Sequence, residues 1–160
     1  MKTKIFSWPK EIKVFWIVDF ILGLELIGPV LLIFFKDWGG LNQTETQTLQ
    51  SWFTLWIFIL EIPTGVFGDI KGKKKSVLLG YALMTIGTVI YTLTPNIYLF
   101  FFSEFVFALA IAFISGSKEA WMYDISQKYN LEEKFREIFA ISTKLHMLGM
   151  IVASGLFVLI

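Results

Sequence analysis

The sequence predicts an all-α membrane protein of five transmembrane helices, on three observations. The chain is 56% hydrophobic and 18% aromatic with a mean hydropathy of +0.67, above the roughly 45–50% apolar content of soluble domains. Five apolar runs, at 14–35, 51–68, 76–95, 97–122 and 138–160, are long enough to span a bilayer. A helix rises ~1.5 Å per residue, so a hydrocarbon core of ~30 Å takes about 20 residues. None of the runs alternates apolar and polar residues as the ten-residue strands of a membrane barrel do.

The first run follows Lys2, Lys4, Lys10 and Lys13. It is too long for a signal peptide, lacks a small-residue cleavage pattern after it and contains Asp19 and Glu25, so it is expected to stay in the mature chain. The loop after it, KDWGGLNQTETQTLQ, holds Lys36 and the glycosylation triplet Asn42-Gln43-Thr44, a pattern frequent by chance. The second run is the shortest and leads into GVFGDIKGKKK at 65–75, which packs four lysines and three glycines around one aspartate. The third run has no charge in it; Gly80 and Gly87, seven apart, share one helical face, and Gly149 and Ala153 do the same in the fifth run, giving small surfaces for close helix packing. A tight turn at Pro95-Asn96 separates runs three and four, and Lys128, Lys134 and Arg136 separate runs four and five.

These basic residues orient the chain. Eleven lysines and arginines fall on the side of the amino terminus, the 65–75 loop and the 128–136 loop, against Lys36 alone on the other. The positive-inside bias places that side in the cytoplasm. Trp8, Trp16, Trp38, Trp52 and Trp121 fall at or near the expected membrane interfaces, where amphipathic rings belong.

Several function classes drop out. Fourteen basic against thirteen acidic residues argue against a nucleic-acid partner. Without cysteine there is no disulfide, thiolate metal site or cysteine nucleophile. One histidine and no HExxH leave neither a metal-ligand cluster nor a nucleophile–base pair, so no enzyme, metal or cofactor is expected. A phosphate-binding P-loop is excluded because Gly72-Lys73 precedes Lys74 and not Ser or Thr. The lysine loop alone reads as a topology signal and a contact for anionic lipid headgroups.

Ionisable residues inside the spans are the strongest functional signal, because each costs roughly 2.5–3.5 kcal/mol on insertion scales. They are Asp19, Glu25, Glu61, Glu104, Lys118, Glu119 and Lys144. Asp19 and Lys144 lie at a similar depth of about 10 Å, which suggests a pair across the bundle. Glu25 and Glu61 lie nearer the middle, where a wet cavity explains them; Lys118 and Glu119 are near enough to a helix end to snorkel. His146, two residues from Lys144, is read as a packed side chain before a proton relay.

The loop GVFGDIKGKK resembles the signature between the second and third helices of major facilitator superfamily transporters: glycine, aspartate four later, glycine three after that, then two basic residues. Gly65, Asp69, Gly72, Lys73 and Lys74 fall on those positions. EIPTG before it, SGSKEAWMYD at the end of the fourth run, and Glu104, where one branch of the superfamily carries an acid, extend the resemblance over almost the whole chain. Two departures stand out: Ile70 follows the aspartate where the family usually has Arg, and the fifth run, LGMIVASGLF, lacks the Gly-Pro signature of many drug/proton antiporters.

The resemblance implies an incomplete amino-terminal six-helix bundle, 1–160 forming one partial transmembrane domain. It implies alternating access around a midplane site, with Asp69 touching a helix of the second half and Lys73 bridging to Asp124 as a cytoplasmic latch. The expected partners are the lipid bilayer, a small solute, protons and the missing carboxy-terminal half. The expected function is proton-coupled efflux of an amphiphilic compound across the plasma membrane; uptake of a metabolite, or a self-contained five-span scaffold, are the alternatives. Because the chain stops within an apolar run, it is expected to be a fragment.

Overall fold

A computed structural model describes residues 7–25 and 27–157. Lys2 and Lys4 of the basic amino terminus, and positions 158–160 of the fifth apolar run, lie outside the described residues. The described elements are helical: α1 (Lys10–Gly23), α2 (Ile27–Ile33), a π-helical turn (Phe34–Trp38), α3 (Gln43–Lys71), α4 (Lys73–Leu93), α5 (Ile97–Lys128), a 3-10 turn (Glu132–Lys134) and α6 (Phe135–Phe157).

Four helical stretches are long and apolar enough to cross a membrane, Gln43–Lys71, Lys73–Leu93, Ile97–Lys128 and Glu132–Leu156. The chain is therefore an integral, multi-pass membrane protein, and the count of five spans is corrected to four among the described residues. The first run, 14–35, is not one helix. α1 has 14 residues, about 21 Å at 1.5 Å each, short of a ~30 Å core. It ends at Gly23, and α2 restarts with Pro29 at its third residue. A proline in an unbroken helix would leave the carbonyl of Glu25 without its amide donor and press on it, whereas in a first turn that amide is unpaired anyway. The apolar run continues toward Phe35 through the π-helical turn, whose last bond runs from the Gly39 amide to the Phe34 carbonyl at 3.0 Å.

α3 starts eight residues before the apolar run at 51 because a capping box nucleates it: Asn42 accepts from the Glu45 amide at 3.0 Å and Glu45 accepts from the Asn42 amide at 2.8 Å. It continues through Pro63, and the Thr64 hydroxyl donates to the Leu60 carbonyl at 2.8 Å one position along. The carbonyl that Pro63 deprives of an amide donor is that of Ile59, one residue before the one Thr64 serves. α3 and α4 meet at a single residue, Gly72, which ends one helix and begins the next at φ +98°.

The chain divides into two compact units, Met1–Pro29 with Met122–Ile160, and Val30–Trp121. In the first, α1 packs along α6. A side chain on Gly149 would meet Gly23 C at 2.8 Å and Gly23 Cα at 2.9 Å, and one on Gly23 would meet the His146 backbone. In the second, Phe35, Leu41, Leu49, Tyr91 and Phe100 form an apolar core. The glycine face expected on the third run is observed against α5: a Cβ added to Gly80 would lie 2.8 Å from the Ala110 carbonyl oxygen, and one added to Gly87 would lie 3.0 Å from the Phe107 ring.

Candidate functional site

Among the seven ionisable residues of the apolar runs, the structure buries two carboxylates, one in each unit. Asp19, 2% exposed, lies between α1 and α6. Its carboxylate accepts from the Ser142 hydroxyl, and His146 Nδ1 lies 3.2 Å from its backbone carbonyl. Ser142 and His146 are one helical turn apart on α6, so both face α1. With its proton on Nδ1, His146 donates to the Asp19 carbonyl and keeps Nε2 as the acceptor.

Lys144 does not take part. It is exposed and forms no ion pair among the described residues. Two residues past Ser142, it is turned ~200° around the helix, on the other side from α1. Lys144 lies level with Asp19 along the helix pair but on the wrong side of α6.

Glu104, 4% exposed, belongs to the second unit. Gln50 Nε2 of α3 donates to its Oε1 at 3.3 Å, and the Tyr91 hydroxyl of α4 lies beside it outside the geometry of a formed hydrogen bond. Aromatic staples flank the pair: the Trp52 indole donates to the Phe101 carbonyl at 3.0 Å, and Trp56 meets Phe105 edge-on at 4.8 Å. Gln50, Ser51, Thr54, Leu55 and Phe58 line an open depression of about 570 Å³ along one stripe of α3. Polar groups gather at its Gln50 end and apolar ones at its Phe58 end.

The other in-span charges are placed differently. Glu25 and Glu61 are exposed, as is Glu119, and Lys118 is half-buried. Glu25 sits in the break after α1, outside regular helix. No group of three or more His, Asp or Glu among the described residues could hold a metal ion.

At the loop signature, Asp69 and Lys73 form an ion pair at 3.5 Å, one turn apart across Gly72, with the aspartate side chain 74% exposed. Lys74 is exposed, and Asp124 is exposed on α5. Gly72 is needed for its backbone, since a positive φ of this size strains any side-chain-bearing residue. Gly65 is not crowded: a Cβ there would meet nothing within 4 Å. The crowding falls instead on Gly68, where an added Cβ would run into the Ser117 hydroxyl and lie 3.6 Å from the Ser76 Cβ. Ser76 donates to the Phe113 carbonyl at 2.9 Å, while Ser117 Oγ is buried with no hydrogen-bond partner among the described residues.

Sequence reasoning missed Ser142, Gln50 and Gly68. The one available signal was the turn spacing of Ser142 and His146, which marks a polar stripe on an apolar helix. Trp16 and Trp52, expected at the interfaces, hold helices together: Trp16 donates to the Ile138 carbonyl at 3.1 Å, tying α1 to α6 as Trp52 ties α3 to α5.

Known proteins agree with the resemblance. An uncharacterized MFS-type transporter of Methanocaldococcus jannaschii is 27% identical over 126 residues, 78% of this chain and 32% of that protein. Multidrug resistance protein 2 of Bacillus subtilis is 27% identical over 134 residues, 84% of this chain and 32% of that protein. The chain thus spans about a third of the length of these curated relatives. No protein-family model matches it, and neither does any solved structure.

Proposed function

We propose that the chain is the amino-terminal portion of a secondary active transporter that exports an amphiphilic solute against proton entry by alternating access. The observation that carries this reading is Asp19: a carboxylate kept 2% exposed between two helices of a membrane protein, supplied with a serine hydroxyl and adjoined by the chain's one histidine. Burial at such cost is the usual mark of a proton or substrate path. Glu25 and Glu61, being exposed, support the role less well. Glu104, with Gln50 reaching it from the α3 depression, is the second candidate, placed to sense what enters there. The name of the Bacillus subtilis relative supports efflux as the direction.

The loop is the conformational part of this proposal. Asp69 is exposed and, among the described residues, pairs with an i,i+4 lysine alone, so its carboxylate is available to a helix of a second half, while Lys73 can exchange Asp69 for Asp124 as the halves rock. The basic loops face the cytoplasm of the plasma membrane in this scheme.

The test uses the full-length gene product in proteoliposomes with an imposed pH gradient and a panel of amphiphilic dyes. Gradient-driven dye movement is expected, and Asp69→Asn should abolish it while inserting normally. Normal transport by that variant would overturn the latch, and no gradient-dependent movement of any dye would overturn the efflux reading.

A further inference from the structure

The α1–α6 pair carries a second feature that the transport reading does not use. Lys13, Trp16, Ile17 and Phe20 of α1 face Leu145 and Leu148 of α6 across a groove of about 580 Å³. The α1 residues fall at i, i+3, i+4 and i+7, a continuous helical stripe. From Lys13 to Phe20 the stripe runs about 10 Å along the helix. Everything beyond its mouth is apolar.

The mouth is basic and aromatic. Lys13 closes one end, and Lys10, exposed one turn earlier, extends the same stripe outward. Lys13 spends one donor on Ser7, at 3.4 Å, and an ammonium has three. The Trp16 ring is locked by its bond to the Ile138 carbonyl and by an edge-on contact with Trp8 at 5.4 Å, and Lys134 lies 5.5 Å above the Trp8 ring. Cations and indole rings at one end of an otherwise apolar groove have the charge order of a phospholipid.

We propose that this groove binds one anionic phospholipid, an acyl chain lying along Ile17, Phe20, Leu145 and Leu148 and the headgroup phosphate meeting Lys13 and Lys10. The charge order chooses the occupant. A helix of the same protein or of a second copy would satisfy the apolar length but not the lysines at the mouth, and a zwitterionic lipid would leave them without a net counter-charge. The lipid would hold α1 against α6 on the flank of the Asp19 site.

The full-length protein in detergent, titrated with phosphatidylglycerol or phosphatidylcholine of identical chains and examined by native mass spectrometry, should retain one phosphatidylglycerol in preference. A lysine near a membrane surface contributes about fivefold in binding, so Lys13→Gln should cut the preference by about that factor. Leu148→Trp, which fills the groove, should abolish retention. A second readout keeps the wild-type core intact: in nanodiscs, brominated-chain phosphatidylglycerol should quench tryptophan fluorescence more than brominated phosphatidylcholine, and Trp16→Phe should remove the excess. Equal quenching by the two lipids, an excess that survives Trp16→Phe, or unchanged lipid preference in Lys13→Gln would overturn the site. So would a disulfide-linked dimer that forms efficiently with Leu148→Cys and not without it, which would place a second copy in the groove.

Discussion

Replacing Gly149 by alanine tests the close contact of α1 and α6. The added Cβ would lie 2.8 Å from the carbonyl carbon and 2.9 Å from the Cα of Gly23, and closer still to the Phe20 carbonyl oxygen. All three obstacles are backbone, so no rotamer change relieves them. Carbon pairs prefer about 3.5–4.0 Å, and the helices must therefore part by roughly 0.6 Å or more at the crossing. A gap of that size forfeits a quarter to a half of each neighbouring dispersion contact, and overpacking of this kind costs about 1–3 kcal/mol. Gly155→Ala on the same helix is the control, because a Cβ there meets nothing within 4 Å; better helix propensity should leave it neutral or more stable by up to about 1 kcal/mol. Unfolding in increasing denaturing detergent, followed by tryptophan emission, reads both variants, with Trp16 reporting at the interface itself. Equal stability of the two variants would refute the backbone contact.

Other consequences are as open to measurement. Gly72→Ala should destabilise by about 1–3 kcal/mol through backbone strain alone, since its φ is +98° and a Cβ there meets no neighbour; the same detergent unfolding checks it. Asn42→Ala removes one arm of the α3 capping box and should cost about 1 kcal/mol, visible as fraying of amides 43–46 in hydrogen exchange. Asp69→Asn, by contrast, should change stability by less than about 1 kcal/mol, its partnership with Lys73 being an exposed one, so that any loss of transport belongs to function and not to folding.

Hydropathy was a good guide to the long helices because every one of α3 to α6 carries an apolar run of membrane length. It failed at the first run because an apolar count takes no notice of backbone chemistry: Gly23 and Pro29 end one helix and start another, while Pro63 sits within α3 without ending it. The two prolines differ in setting. Pro29 lies at the head of a short helix, whereas Pro63 lies deep in a helix already capped at Asn42.

The site was legible in kind and less so in detail. Counting rise per residue put Asp19 and Lys144 at one depth, but partnership also depends on angle. Ser142 and His146 face α1, and Lys144 between them cannot. In the same way, the glycine signature drew attention to Gly65 and Gly72, whereas the crowded glycine of that loop is Gly68. A motif marks positions by type; which glycine is crowded depends on the neighbouring helix, which no local pattern encodes.

Proton counting tests the proposed place of Asp19 in the proton path. Solute added to the purified full-length protein in weak buffer should release protons from the wild type and none from Asp19→Asn, with solute still bound by the variant. Release of the same number of protons by wild type and Asp19→Asn would contradict it.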